Sequence, residues 1–303
     1  MTTRSPPHRA RGRPGAMALG WAIALGAALL PAREAGAQDG AALQAQHAAL
    51  QGALAASPFG RPLLLESRDR DGHLEGRVHA LVGQPFAVVA RALRSAPPWC
   101  DLLYLHLNVK QCTVEGGQAQ PIVALAVGQK NDQALSDAYR LKFAFDAVRV
   151  TGNYLHVSMH APQGPLGTSD YRINIEATPA AQGQTFLRMR YAYRHGVAAR
   201  VAMQAYLATT GRDKVGFSLE PDGPDGAPLP VRGVRGVVER NTMRYYLALD
   251  AYLTTLSSPP ARQFEERLRR WHAATERYAA QLRELDLGQY LALKGLAAKA
   301  TPP

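Results

Sequence analysis

The chain has 303 residues, of which 47% are apolar and 19% are charged, and its formal net charge is +11. This apolar content excludes an intrinsically disordered chain, and the length is sufficient for one substantial hydrophobic core. The positive side chains are spread along the sequence without a nucleic-acid-binding motif, so the charge predicts no nucleic-acid partner.

The first 37 residues are typical of a cleavable secretory signal. Four arginines and no acidic residue precede an apolar run from Met17 to Leu30, which is shorter than the roughly 20 residues that a membrane-spanning helix needs. Small residues then predict cleavage between Ala37 and Gln38, whether translation starts at Met1 or at Met17. We therefore predict a periplasmic or secreted protein with no transmembrane anchor after cleavage.

Cleavage would also change the charge. Removing five arginines and one glutamate lowers the net charge from +11 to +7. This residual charge is compatible with peripheral contact at an anionic membrane surface, although a solvated surface explains it equally well.

The sequence contains two cysteines, Cys100 and Cys112. In an exported protein such a pair predicts a disulfide bond, which would contribute about 3 kcal/mol of stability by closing a short loop. The alternative is two free buried thiols. A redox role is disfavoured because the CxxC spacing is absent.

The N-terminal part of the mature chain predicts a helix, a hairpin and a second helix. Ala41–Ala56 is a weakly amphipathic helix rich in alanine and glutamine. The strands Pro62–Ser67 and Leu74–Val82 flank a polar turn that ends in glycine, which favours a β-hairpin. Pro85 is suited to begin a helix, and the Pro97-Pro98 pair ends it.

The middle of the chain predicts an antiparallel meander. Apolar and polar side chains alternate in four segments, 139–146, 154–160, 171–176 and 187–194, so one face of each strand is apolar and the other is polar. Such a pattern is typical of a sheet with one face in water.

Helices return after the meander. Val197–Thr209 predicts a short apolar helix, and Pro221–Pro230 predicts a loop that could overhang an opening. Tyr245–Leu256 forms an aromatic stripe at helical spacing. A further helical stripe, Phe264–Leu285, either faces the core of the same chain or forms a dimer seam.

The order of these elements resembles the START-like or helix-grip superfamily, also called Bet v 1-like. The resemblance is based on an early strand (Leu74–Val82), paired short helices (Pro85–Leu103), the meander and a long late helix. The resemblance implies an α+β fold, in which a curved antiparallel sheet grips a long helix, with additional N- and C-terminal helices. The domain division that we predict is a signal peptide (1–37), a helical segment (38–60), the START-like domain (61–256) and a helical extension (257–303).

The resemblance also implies an apolar cavity that holds a lipid or other hydrophobic molecule. The residues that would line it are Phe143, Phe145, Tyr171, Ile173, Met189, Tyr191 and Tyr193 from the sheet, and Tyr245, Leu249 and Tyr252 from the helix. The alternative is that these side chains fill a solid core.

Motifs of common enzymes are absent from the sequence: there is no GxSxG, HExxH, Walker or GxGxxG pattern. His156 and His160 fall on the polar face of one strand, so they predict no metal site, and no cofactor is predicted. Three functions follow as hypotheses: a carrier of a hydrophobic ligand, a non-catalytic interaction or structural protein of the cell envelope, and a helix-grip enzyme of unknown reaction. The oligomeric state is not predicted.

Overall fold

The computed structural model of the chain describes residues 32–130, 133–209, 211–220 and 227–295, apart from the side chains of residues 32–38, 147 and 198. Most of the predicted signal sequence therefore lies outside the described residues, and so does the central part of the predicted overhanging loop, residues 221–226. The cleavage point before Gln38 falls inside the first helix and stays a prediction, as does the domain division.

Helices lie on both sides of a central β-sheet. The helices are α1 (Ala32–Ala55), α2 (Phe86–Leu93), α3 (Pro97–Leu103), α4 (Val197–Ala208), α5 (Gly233–Thr254), α6 (Pro260–Glu276), α7 (Ala279–Leu282) and α8 (Leu287–Leu293). The strands are β1 (Leu63–Arg70), β2 (His73–Val82), β3 (Val109–Glu115), β4 (Ile122–Val127), β5 (Tyr139–Val150), β6 (Leu155–Gln163), β7 (Thr168–Pro179), β8 (Thr185–His195), β9 (Leu219–Glu220) and β10 (Leu229–Pro230).

Eight strands form one antiparallel sheet in the order β1-β2-β8-β7-β6-β5-β4-β3, while β9 and β10 form a separate pair. The strands from β3 to β8 run as a meander, and the pairing of β2 with β8 joins the early hairpin to the last strand of the meander. Helix α5 packs along β1, β2 and β8. A curved sheet therefore grips a long helix, which confirms the predicted fold class and the resemblance to helix-grip proteins.

The first hairpin turns at Asp71 and Gly72. Both residues have positive φ angles, 51° and 76°. A two-residue loop of this kind is favoured by Asp-Gly, because its twist matches that of the flanking strands. The hairpin that the sequence predicts is therefore confirmed, with strands that reach up to this turn.

The apolar side of the meander faces α5 and the core, as the alternation predicts. In β8, Leu187, Met189, Tyr191 and Tyr193 are all buried, whereas Arg194 is exposed. Burial of large apolar side chains at this spacing is what holds the register of the strand, since a slip by one residue would turn each of them toward water.

The opposite face of the sheet is not exposed to solvent throughout. The prediction of a sheet with one face in water is wrong in this respect. Tyr154 and Phe186 point away from α5 but are buried, because they form a second apolar cluster with Leu43 and Leu54 of α1. His79 belongs to the same region, where burial lowers its pKa to about 4. Alternation within one strand carries no information about a helix that covers its outer face.

The disulfide bond between Cys100 and Cys112 is present, with a Cα–Cα distance of 5.2 Å. It joins α3 to β3, so the paired short helices are covalently tied to the first strand of the meander. This confirms the predicted pairing.

The last predicted stripe, Phe264–Leu285, is interrupted. Helix α6 ends at Glu276, and Tyr278 adopts a non-helical conformation before α7 begins. Leu268 and Trp271 are buried within the chain, and the Trp271 indole donates a hydrogen bond to a carbonyl of α5. Apart from Phe264, which is 42% exposed, the stripe therefore faces the core of its own chain.

No helix within the described residues is both long enough and apolar enough to cross a membrane.

Helix α5 comes very close to the sheet at Gly76 of β2. A Cβ atom placed on Gly76 would lie 2.0 Å from the hydroxyl oxygen of Thr242 and 2.9 Å from its Cβ. A Cβ atom does not tolerate such separations, so the distance between helix and sheet depends on the absence of a side chain at this position.

We predict that Gly76→Ala destabilises the protein by about 2 kcal/mol, since the added methyl group would force α5 away from β2. Gly83→Ala is the matched control because nothing lies within 4 Å of a Cβ at that position, and it should change stability by less than about 0.5 kcal/mol. Urea unfolding of both variants measures the difference. Equal stabilities would contradict the close approach.

Candidate functional site

A cavity of about 280 Å³ lies between the sheet, α4, the turn before β7 and the N-terminal half of α5. This volume is slightly below the range of about 300–1,000 Å³ that is typical of small-molecule sites. Its described lining consists of Asn108, Lys130, Pro165, Leu166, Thr168, Tyr171, Tyr191, Tyr193, Ala199, Ala202, Met203, Tyr206, Val237, Arg240, Asn241 and Arg244.

Three tyrosines of β7 and β8 form the sheet side of the cavity. The ring of Tyr171 stacks on Tyr193 with 5.1 Å between the ring centroids, and Tyr191 lies 5.6 Å from Tyr193. The hydroxyl of Tyr171 donates to Thr168 at 2.9 Å. The hydroxyls of Tyr191 and Tyr193 have no hydrogen-bond partner among the described residues. This wall is therefore apolar in its body and carries two hydroxyls that are free to bind a ligand.

Helix α5 supplies the opposite wall. Val237, Arg240, Asn241 and Arg244 follow one another at steps of three, one and three, which places them on one side of the helix. The two arginines are each only 2% exposed. Two buried guanidinium groups thus face an aromatic wall.

Arg244 has a carboxylate partner. Its guanidinium donates to Glu284 at 2.9 Å, and Glu284 also pairs with Lys130 at 2.6 Å. Although burial alone would raise the pKa of Glu284, the cations Lys130 and Arg244 hold that pKa below its ordinary value. The Nε atom of Arg244 is buried without a hydrogen-bond partner in the described part of the chain. Glu284 therefore neutralises one of two cations at this end of the cavity.

Arg240 has no carboxylate partner among the described residues. Its one hydrogen bond is to the carbonyl oxygen of Val215 at 3.3 Å. The neighbouring Glu239 is occupied elsewhere, since it accepts hydrogen bonds from Ser67 and from the backbone N–H groups of Phe217 and Ser218. Arg240 is thus a buried cation beside the cavity with most of its donors unused.

Three of the ten sequence-predicted cavity residues, Tyr171, Tyr191 and Tyr193, line this cavity. Deeper between sheet and helix, Trp99 and Leu103 fill the space and leave a gap of about 10 Å³. Five of the ten lie around that gap, namely Ile173, Met189, Tyr191, Tyr245 and Leu249.

The remaining three predicted residues line neither space. Phe143 packs edge-on against Tyr171, Phe145 packs against Trp99, and Tyr252 lies under the guanidinium of Arg267. The set that the sequence suggests is therefore spread over the cavity, the filled interior and the far end of α5.

Sequence reasoning missed the cationic wall. It began the late helix at Tyr245, whereas α5 begins at Gly233. Asn241 lies one helical turn before Tyr245 on the same side of α5, whereas Arg240 and Arg244 lie on the adjacent side and interrupt the apolar pattern. Nothing in the sequence indicates that Lys130, in the loop after β4, lies at this wall.

His106 lies behind this wall, 4.8 Å from the ring of Tyr245 in a stacked arrangement. Its burial, together with the cations Arg244 and Lys294, lowers its pKa well below the ordinary value. No cluster of three histidine, cysteine or carboxylate side chains suited to a metal ion occurs within the described residues.

No protein-family model matches the sequence, and no curated protein matches it. Solved structures do match. Human StAR-related lipid transfer protein 5 is 10% identical, with 74% of this chain and 98% of that chain covered, at a TM-score of 0.34. Truncated norcoclaurine synthase from Thalictrum flavum is 15% identical, with 48% and 90% covered, at a TM-score of 0.33. Ara h 8.0201 is 10% identical, with 61% and 99% covered, at a TM-score of 0.36. These scores are low, so the fold assignment rests on the strand order and on the position of α5.

Removing the charge of Glu284 by Glu284→Gln should destabilise the protein by about 2–3 kcal/mol at neutral pH, because Arg244 would remain buried without a counter-ion. A carboxylate with a lowered folded-state pKa stabilises above its unfolded pKa, and this contribution is lost as the pH falls through the folded pKa. The difference between wild type and variant should therefore shrink below about pH 4.5. Urea unfolding at several pH values measures it.

The matched control is Glu265→Gln, which removes the exposed pair with Arg269 on α6. It should cost less than about 0.5 kcal/mol at every pH. A Glu284 variant that behaves like this control would contradict the role of the carboxylate.

Proposed function

We propose that this protein is an exported carrier that binds a small, largely apolar molecule in the cavity between β7, β8, α4 and α5. The observation that supports this most directly is the wall of Tyr171, Tyr191 and Tyr193 beside a space of about 280 Å³. That space has room for about nine water molecules at roughly 30 Å³ each, which a ligand would displace.

The chemistry of this wall suits such a ligand. Moving apolar ligand surface out of water contributes about 25 cal/mol per Å². Aromatic rings supply contact area with few rotatable bonds, and tyrosine hydroxyls fix the orientation of a polar group on the ligand. Ala199, Ala202 and Met203 of α4 line the space from the other side.

Export is the second part of the proposal. It is supported by the signal-like sequence before Gln38 and by the disulfide bond, which persists in an oxidising compartment. Both observations concern where the protein works and are independent of the cavity.

The alternative of an envelope interaction protein rests on the helical stripe Phe264–Leu285 and on the positive charge of the chain, which a solvated surface explains equally well. Because Leu268, Trp271 and Leu282 are buried within the chain, Phe264 is the large apolar side chain of this stripe that remains exposed, and one side chain does not make a partner surface. No other observation on the described residues favours that alternative specifically, so the carrier is the function that we propose.

We predict that the wild-type protein enhances the fluorescence of N-phenyl-1-naphthylamine, a neutral apolar probe. Ala202→Trp should weaken its binding by about tenfold or more, since the indole would occupy the cavity and exclude the probe from the site. Titration of the probe into each protein measures the affinity.

Mass spectrometry of an organic extract of the purified protein, as isolated from its source, should also reveal a bound compound.

Ala205→Trp is the control for this experiment. Residue 205 is on the same helix but exposed, so the same substitution there should leave probe affinity within about twofold of wild type. Failure of the wild-type protein to bind the probe, or equal binding by both variants, would count decisively against the carrier proposal.

We also predict that the protein, expressed with its own leader in a Gram-negative host, is recovered from the periplasm with Gln38 as its first residue. A thiol assay under denaturing conditions should detect no free cysteine. The double variant Cys100→Ser/Cys112→Ser should lose about 3 kcal/mol of stability. Recovery of an uncleaved, reduced protein from the cytoplasm would refute export.

A further inference from the structure

Arg240 is an unusual residue for the interior of a protein. It is 2% exposed, and the one hydrogen bond that it forms within the described residues goes to a neutral carbonyl oxygen. A guanidinium group carries five N–H donors and is always charged in proteins. Burying such a group without a counter-ion is costly, so a residue of this kind points to a binding partner that is absent from the isolated chain.

Several arginines elsewhere in the structure do have carboxylate partners, including the buried Arg267, which pairs with Asp101 at 2.8 Å. On the outer face of the sheet, Arg77 and Arg190 share Glu75, and Arg188 pairs with Glu176. Those arginines are more exposed than Arg240 and need a counter-ion less. The missing carboxylate is therefore a feature of the cavity rather than of arginines in this chain.

The charges that line the cavity do not balance. Lys130, Arg240 and Arg244 are cationic, and Glu284 is the carboxylate that pairs with two of them. Among the described residues, this leaves an excess of positive charge at one end of the space. An oxyanion bound there would supply the missing negative charge.

Further hydrogen-bond donors lie around this end of the cavity. Burial raises the pKa values of Tyr191 and Tyr193 above the ordinary value for tyrosine, so both hydroxyls stay protonated and can donate hydrogen bonds. The buried Nε of Arg244 is a third unused donor. The guanidinium and ammonium groups of Arg240, Arg244 and Lys130 can only donate, and this set of charged donors fits an anion better than a neutral polar group.

We infer that the ligand of this cavity is an amphipathic acid, whose oxyanion head group binds Arg240 and whose apolar body lies against the tyrosines of β7 and β8 and the inner side of α4. This inference rests on the proposed carrier function and specifies the class of its ligand. Carboxylates and phosphate esters share this chemistry, because a guanidinium binds either of them through two parallel hydrogen bonds.

The test compares three compounds with the same ten-carbon chain: decanoate, decyl phosphate and decanol. Each is used at pH 8 to displace N-phenyl-1-naphthylamine from the wild-type protein. We expect at least one of the anions to bind about tenfold or more tightly than decanol, because a hydrogen bond to a charged group strengthens binding by about that factor or more. Whichever anion binds more tightly identifies the acid.

Arg240→Met keeps the volume of the side chain and removes its charge, so it should reduce the preference for the anions to within about threefold of decanol while the neutral probe still binds. Arg235→Met is the matched control on the same helix. Arg235 pairs with Glu220 and does not line the cavity, so the preference should remain. Thermal unfolding should show both variants to be folded.

Two outcomes would overturn the inference: equal affinity of all three compounds for the wild-type protein, or an unchanged anion preference in Arg240→Met. In either case, binding of the neutral probe would leave the carrier proposal intact. Loss of probe binding by the wild-type protein would instead remove the carrier proposal itself, so the two failures are distinguishable.

Discussion

The burial of α5 on nearly all sides is the constraint on which the rest of the structure depends. Gly76 lets the helix approach the sheet to within contact of its backbone, and Trp271 of α6 covers another side. A helix enclosed in this way has little room for charge, yet α5 carries Glu239, Arg240 and Arg244 at buried positions. Each must find a partner inside the protein. Glu239 and Arg244 have such partners, whereas Arg240 faces the cavity. This difference makes Arg240 the candidate residue for binding a ligand.

The same constraint explains why the cavity is at one end of the gripped helix. Along the C-terminal half of α5, Trp99 and Leu103 fill the space between helix and sheet. Toward the N-terminal half, α4 stands between the sheet and solvent, and small side chains such as Ala199 and Ala202 leave the space open. The volume available to a ligand is thus decided by a few bulky side chains of α3 and a few small ones of α4, while the sheet itself is continuous.

The parts of this fold that the sequence predicts well are those set by local periodicity. Strands β5 to β8 and the Asp71-Gly72 turn follow from alternation and turn chemistry. The parts it misses depend on tertiary packing. Alternation places Tyr154 on the polar face of its strand, and nothing in that strand reveals that α1 covers it. The N-terminal half of α5 was missed because Arg240 and Arg244 break the apolar stripe, and a buried charge is recognised only once its surroundings are known. Within the candidate site, the tyrosines were accessible to sequence reasoning and the cations were not.

The Cys100–Cys112 bond bears on the order in which the chain acquires its structure. Its two sulfurs are 12 residues apart in sequence, whereas the pairing of Leu74 with Tyr193 closes the sheet across most of the domain. Contacts between distant residues form slowly because of the entropy of closing a long loop, and local ones form quickly. Oxidation of this pair therefore does not have to wait for the sheet to close. Because the chain contains only two cysteines, one intramolecular pairing exists, so the folding chain has no incorrect intramolecular disulfide to rearrange.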